Sequence, residues 1–249
     1  MTRLVRTELL KQRTTRTCVA GVAAAPVVTG LVTVAVLGGA GKEGNPPLRD
    51  ETLVQVLGAP HSVVTFIALV LGLLAMTGEH RHGTITTTFL ATPRRRDVVV
   101  AKLAASSLVG GTIGLLSLAA SAAVAVPWLR NAEVAVHLDA DTLRVAVGLV
   151  ASTTLYGALG VSIGAVIRNQ TAAATVVLVW LLAVEGMIGD IFSRSPIVHW
   201  LPAAAGRAIV HAGPAGDGPS PGAAAATFAS YVLLLAAGAT HSTLRRDVT

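Results

Sequence analysis

Six apolar blocks with almost no charge inside them constrain the fold of this chain more than any other feature. Crossing a hydrocarbon core of about 30 Å takes roughly 20 residues of helix, and a spanning segment must satisfy its own backbone hydrogen bonds. The blocks cover residues 19–39, 59–77, 103–128, 145–167, 171–188 and 222–239. The sequence therefore predicts an all-α membrane protein in which residues 1–249 form a single domain with six transmembrane helices.

The composition excludes a soluble protein. Hydrophobic residues make up 53% of the 249 residues, and charged residues make up 13%, about half the share of an average soluble domain. The first block is longer than the apolar run of a secretory signal, so we expect it to remain as a span. The single cysteine, Cys18, excludes a disulfide within the chain, and no Cys/His spacing indicates a metal site.

The basic residues indicate the orientation. If the N-terminus is cytoplasmic, the segments on the inside carry most of the 19 Lys and Arg residues. The positive-inside rule then predicts a multi-pass protein of the plasma (inner) membrane with both termini in the cytoplasm. The net charge of +6 does not indicate nucleic-acid binding, because it is divided among short loops without the aromatic residues that stack on bases.

Two segments outside the blocks are predicted to lie at the membrane surfaces. Residues 1–17 mix leucines with basic residues, which is typical of an interfacial helix on the inner leaflet or of a simple positive topology anchor. Residues 189–221 mix apolar patches with prolines. This favours short external helices between the fifth and sixth spans, and the alternative is an ordinary surface loop.

The charged segment between the second and third blocks, residues 78–102, is predicted to be a cytoplasmic docking element. Glycines break the chain out of the second span, a short helix can begin at Thr84, and Pro93 stops it. An apolar knob on such a helix fits a groove in a partner. The alternative is a solvated loop whose arginines only set the topology. The apolar residues on one side of the helix are Ile85, Phe89 and Leu90.

Three residues within the blocks are candidates for lining a pathway through the membrane. Glu185 lies about three residues from the external end of the fifth block, where a charge costs energy unless it is paired or hydrated. His61 has a similar depth in the second block, and Trp180 in mid-span faces lipid, a neighbour or a cavity. The alternative for Glu185 is that its side chain extends to the outer interface.

Several short motifs follow one another along the chain. They are residues 8–15 (ELLKQRTT), Glu79 with Gly83-Thr84, Pro93-Arg94-Arg95-Arg96 with Lys102, residues 157–170, and residues 244–247. In this order, with the docking segment after the second of six spans, the chain resembles the membrane permease subunit of an ABC-2 type transporter. The resemblance covers nearly the whole chain.

The resemblance implies a permease subunit of an ATP-driven exporter. Two such subunits, identical or related, would bind two ABC ATPase subunits and contact membrane lipid. The chain would not be an enzyme and would hold no cofactor, because ATP and Mg²⁺ would be bound by the ATPases. Spans nearly free of charge favour a lipophilic or amphiphilic substrate, either drug-like or lipid. The implied ATPase-coupling residues are Glu79, Gly83, Thr84, Ile85, Phe89 and Leu90.

Two other functions remain open at this point. An ion-coupled secondary transporter would carry ion-coupling residues within the membrane or helices broken near the midplane, and the sequence offers little of this besides Glu185. A membrane scaffold without transport activity is the other alternative.

Overall fold

The computed structural model describes residues 1–42, 45, 47–81, 83–84, 94–192, 195–211 and 218–245. Within these residues every regular element is a helix, which confirms the all-α part of the predicted fold class. The α-helices are α1 (Thr2–Thr14), α2 (Arg16–Gly39), α3 (Thr52–Gly58), α4 (His61–Arg81), α5 (Arg95–Asn131), α6 (Ala140–Val166), α7 (Gln170–Val179), α8 (Glu185–Ile191), α9 (Pro202–Val210) and α10 (Pro221–Arg245). A π-helical turn, Trp180–Val184, joins α7 to α8, and a 3₁₀ helix, Pro196–Trp200, precedes α9.

Five helices of the described part of the chain are long and apolar enough to cross a membrane. The fifth predicted block, residues 171–188, is the exception, because it is divided among α7, the π-helical turn and α8. With 10 residues, α7 alone is too short to cross. The five long segments are Arg16–Gly39, Thr52–Arg81, Arg96–Asn131, Ala140–Val166 and Pro221–Thr240.

Helices α4 and α6 form the centre of the bundle. In their apolar stretches 67% and 61% of the residues are buried, against 17% in α2. Glycines allow this close packing: a Cβ on Gly160 would meet the Leu69 carbonyl oxygen, and a Cβ on Gly72 would meet that of Gly157. Small residues at four-residue spacing let helices approach closely. Here they pack helices of the same chain against each other.

Side-chain caps fix where α6 and α7 begin. The Asp139 carboxylate accepts a hydrogen bond from the Thr142 amide at 2.8 Å, and this bond lowers the pKa of Asp139. The Asn169 side chain accepts one from the Ala172 amide at 3.0 Å. The first amides of a helix lack partners within it, so such caps define its first turn.

The helices on each side of the predicted docking segment extend into it. Helix α4 continues to Arg81, and α5 begins at Arg95. Glu79 and Lys102 therefore lie within helices, and their side chains form an ion pair between the two. The predicted apolar knob, Ile85, Phe89 and Leu90, lies outside the described residues.

Candidate functional site

Four charged side chains meet where α1, the end of α4 and the start of α5 come together. Lys102 lies at their centre and is 1% exposed. Its Nζ donates to Glu8 Oε2 and to Glu79 Oε1, both at 2.7 Å, and to the Ala75 carbonyl oxygen at 3.2 Å. The three protons of the ammonium group thus have three acceptors. We call Glu8, Lys11, Glu79 and Lys102 the Lys102 network.

Lys11 closes the network on its outer side. Its Nζ lies 2.7 Å from Glu8 Oε1 and 2.9 Å from Glu79 Oε1, and its side chain is 42% exposed. Burial alone would lower the pKa of Lys11, but the hydrogen bonds to the two glutamates outweigh this and raise the pKa. Two carboxylates therefore face two ammonium groups, and the network is neutral overall. Such compensation is what a buried charge requires.

The network is one part of a regular pairing between α1 and α5. Glu8 and Gln12 are the buried residues of α1, and their spacing of four places them on one face of the helix. Lys102 and Ser106 have the same spacing on α5, and Gln12 Nε2 donates to Ser106 Oγ at 3.0 Å. Polar contacts over two successive turns therefore hold α1 against α5.

A cavity of about 670 Å³ adjoins the network. Its wall combines α1, the end of α4 and the start of α7, and Arg81 Nη1 donates to Gln170 Oε1 across it at 3.4 Å. Glu79 Oε2 is buried and has no hydrogen-bond partner among the described residues. The polar residues of the wall include Glu8, Lys11, Glu79, Arg81, Thr84 and Gln170.

The predicted coupling residues that the structure describes follow one another at this end of the bundle. Glu79 belongs to the Lys102 network, Gly83 makes a turn with a φ of 68° that favours glycine, and Thr84 borders the cavity. Sequence reasoning missed the roles of Glu8 and Lys102. The sequence did contain a signal for Glu8, because it is the only acidic residue among the basic residues of segment 1–17.

Glu185, at the opposite end of the bundle, is a buried cap for α9. Its Oε1 accepts a hydrogen bond from the Ala204 amide at 2.9 Å, in the first turn of α9. Its Oε2 accepts one from Trp180 Nε1 at 3.2 Å. A carboxylate is favourable at a helix N-terminus, where amides lack partners. The π-helical turn between Trp180 and Glu185 places both side chains for these bonds.

His61 also connects to α9, through Ser152 of α6. Its Nε2 lies 2.9 Å from Ser152 Oγ, which also donates a long hydrogen bond of 3.4 Å to the Gly206 carbonyl oxygen of α9. His61 and Glu185 therefore both help to position α9, one through α6 and the other directly. The third pathway candidate, Trp180, has its ring at the edge of an apolar cavity.

Replacing Glu185 with alanine is expected to loosen α9. The loss of a helix cap costs about 1 kcal/mol, which increases the open population about fivefold. In a Cys18→Ser background, maleimide labelling of Ile209→Cys, a buried position of α9, should accelerate by that factor. Asp190→Ala is the control. It removes an exposed acid of α8, the helix that carries Glu185, and should leave the labelling rate unchanged. Equal rates in both variants would contradict the capping role.

A match to a known protein family covers both of these ends of the bundle. The family model described as ABC-2 family transporter protein matches residues 8–236. No curated protein matches the chain closely enough for comparison. The match begins at Glu8 of the Lys102 network and includes α9 with its cap. The chain therefore belongs to the ABC-2 family of transporter proteins, as a multi-pass membrane permease of a family that generally works with ABC ATPases.

Proposed function

We propose that this chain is the permease subunit of an ATP-driven exporter for a lipophilic or amphiphilic substrate, either drug-like or lipid. The Lys102 network is the observation that supports the proposal most directly. It joins the helix before the first span to both helices that flank the predicted docking segment. A displacement applied to that segment would reach three helices together.

The proposed topology has six crossings. Residues 170–191 run through α7, the π-helical turn and α8, a length of about 33 Å at 1.5 Å per residue. This is enough for a hydrocarbon core of about 30 Å. The Lys102 network then lies at the cytoplasmic face of the inner membrane, with both termini on that side, and α9 lies at the external face.

The proposed coupling begins at the docking segment. Its residues Gly83, Thr84, Ile85, Phe89 and Leu90 would contact a cleft in an ABC ATPase, and Glu79 would pass the motion to the Lys102 network. ATP with Mg²⁺ would be held by two such ATPases. ATP-driven closure of the ATPases would move the end of α4. Because Lys102 bonds to Glu79 and Glu8 at 2.7 Å, the start of α5 and α1 would move with it. A second permease, identical or related, would complete the pathway.

The described contacts also disfavour the alternative of an ion-coupled secondary transporter. The polar side chains predicted to line the pathway, Glu185 and His61, are occupied by bonds that position α9. An ion-coupled secondary transporter would need such groups free to bind the ion. Here their bonds favour a structural role at the external gate.

Purification of the chain from native membranes, followed by mass spectrometry of its partners, tests the proposal. An ABC ATPase should copurify, and export of a lipophilic compound should require ATP hydrolysis by that subunit. Recovery of the chain without any ATPase, in a form that transports on an ion gradient or does not transport, would contradict the proposal.

Phe89→Asp is expected to leave membrane insertion intact and to reduce the recovered ATPase at least about tenfold, because a charge would enter an apolar groove at a cost above 1.4 kcal/mol. The matched control is Thr87→Asp. On a helix of 3.6 residues per turn it lies on the face opposite Phe89, and it should retain the ATPase. Normal recovery with Phe89→Asp would show that the docking face is elsewhere.

A further inference from the structure

A second cavity, of about 490 Å³, lies among α4, α6, α7, the π-helical turn and α10. This volume is within the range of about 300–1,000 Å³ that small-molecule sites occupy. It is distinct from the cavity beside the Lys102 network, because the two share no lining residue. The wall includes Leu69, Tyr156, Leu159, Val177, Trp180 and Leu235.

The described residues present an entirely apolar wall to this cavity. Three aromatic residues in it carry polar atoms, and none of them presents those atoms to the cavity. The Tyr156 hydroxyl lies against Gly206 of α9. Trp180 Nε1 donates to Glu185 Oε2 at 3.2 Å, and the Tyr231 hydroxyl donates to the Trp200 carbonyl oxygen at 2.6 Å. A polar ligand would lose its hydrogen bonds to water without replacement. The wall therefore fits a hydrocarbon chain.

The cavity opens sideways. Leu234 of α10 is 69% exposed, and Val176 of α7 is half exposed, so these two residues form its rim. The inner wall is buried, at Leu69, Tyr156 and Val177. Helix α10 belongs to a segment apolar enough to cross a membrane. The opening therefore faces the hydrocarbon of the bilayer, and the molecules that can reach it are membrane amphiphiles.

We propose that this cavity binds the hydrocarbon chain of the transported amphiphile, which enters sideways from the membrane. Only the identity of the ligand as substrate rests on the proposed function, because binding itself needs no ATPase. The polar head stays outside, since the wall offers it no hydrogen-bonding group. The cavity then selects a ligand by the length and width of its hydrocarbon chain.

Quenching of tryptophan fluorescence by a brominated fatty alcohol tests the binding. Trp128→Phe with Trp200→Phe leaves Trp180 as the only tryptophan, and a second protein retains Trp128 alone. Both tryptophans are 37% exposed, so quenching by probe dissolved in the surrounding lipid should be similar. We expect an additional, saturable component at Trp180, measured with the purified full chain in lipid nanodiscs.

Filling the cavity should remove that component. In the Trp180 protein, Val177→Phe is expected to raise the concentration for half-saturation at least about tenfold. Val179 lies on the same helix but outside the cavity, so Val179→Phe should leave the concentration for half-saturation unchanged. If Val177→Phe prevents folding, Leu234→Phe narrows the exposed rim, with its exposed neighbour Leu233→Phe as control. Quenching that never saturates, or that no filling variant changes, overturns the binding site.

ATP-driven export of the same alcohol separates this inference from the proposed function. In the reconstituted complex, a variant that fills the cavity should reduce export at least about tenfold, while its control does not. Unchanged export from a filled cavity would overturn the assignment of the ligand as substrate. Saturable binding in a complex that shows no ATP-driven export would contradict the proposed function and leave the binding site standing.

Discussion

Lys102→Met is expected to destabilise the protein by about 3–5 kcal/mol, because it leaves two carboxylates close together and largely buried. Glu8 and Glu79 both bond to the Lys102 ammonium group at 2.7 Å, and it is 1% exposed. Thermal unfolding in detergent, followed by size-exclusion chromatography, measures the effect. Most of the variant should be lost at temperatures where the original chain remains monodisperse.

Lys11→Met is the matched control for Lys102→Met. Lys11 contacts the same two carboxylates, but its side chain is 42% exposed. An exposed pair contributes about 0–1 kcal/mol, so the control should lose far less stability. Equal losses in the two variants would show that burial of Lys102 is not the cause.

Removing one of the two carboxylates should partly rescue Lys102→Met. We expect Glu79→Gln combined with Lys102→Met to be more stable than Lys102→Met alone, because the remaining Glu8–Lys11 pair is neutral, whereas Lys102→Met alone leaves one negative charge in excess. A double-mutant cycle measures this coupling directly. Additive losses would indicate that the two residues act independently.

Gly160→Ala is expected to have the second largest effect, with a loss of at least about 1–3 kcal/mol, the cost of overpacking a core. The new Cβ would meet the Leu69 carbonyl oxygen and lie 2.7 Å from the Leu73 amide nitrogen. Both atoms belong to the backbone of α4, so a side chain cannot move aside to make room. The central helices α4 and α6 would have to separate.

Gly238→Ala is the matched control for Gly160→Ala. It makes the same substitution within a helix, α10, but nothing lies within 4 Å of the added Cβ. Alanine is favoured over glycine in helices by up to about 1 kcal/mol, so this variant should gain stability. Thermal unfolding should therefore shift in opposite directions for the two variants. A neutral Gly160→Ala would contradict the close contact between α4 and α6.

The sequence was sufficient to predict the parts of the fold that the hydrocarbon environment of the membrane requires. A helix in hydrocarbon must be long and apolar whatever its neighbours are, and five of the six predicted blocks have such a helix. The interruption of the remaining block at Trp180–Val184 depends on tertiary contacts. Glu185 bonds to Ala204, 19 residues further along the chain, and no local pattern records that pairing.

In the candidate site too, the local sequence predicts some features, and others depend on tertiary contacts. The place of Glu79 in a motif predicted that it contributes to coupling, and this coupling role stays a prediction. Lys102 was expected to belong to a basic segment at the membrane surface, because a lysine near the end of an apolar block is usually of that kind. Its actual partner Glu8 lies 94 residues earlier. Only the packing of α1 against α5 reveals the pairing.

The distance of 94 residues between Glu8 and Lys102 sets an order for biogenesis. Because synthesis runs from the N-terminus to the C-terminus, α1 and the first two spans emerge before Lys102 exists to bind Glu8 and Glu79. Until α5 emerges, the two carboxylates lack the ammonium group that joins them. Helix α1 is thus made before α5 but is held by the network only after α5 has emerged, so closure of the network follows synthesis of the third span.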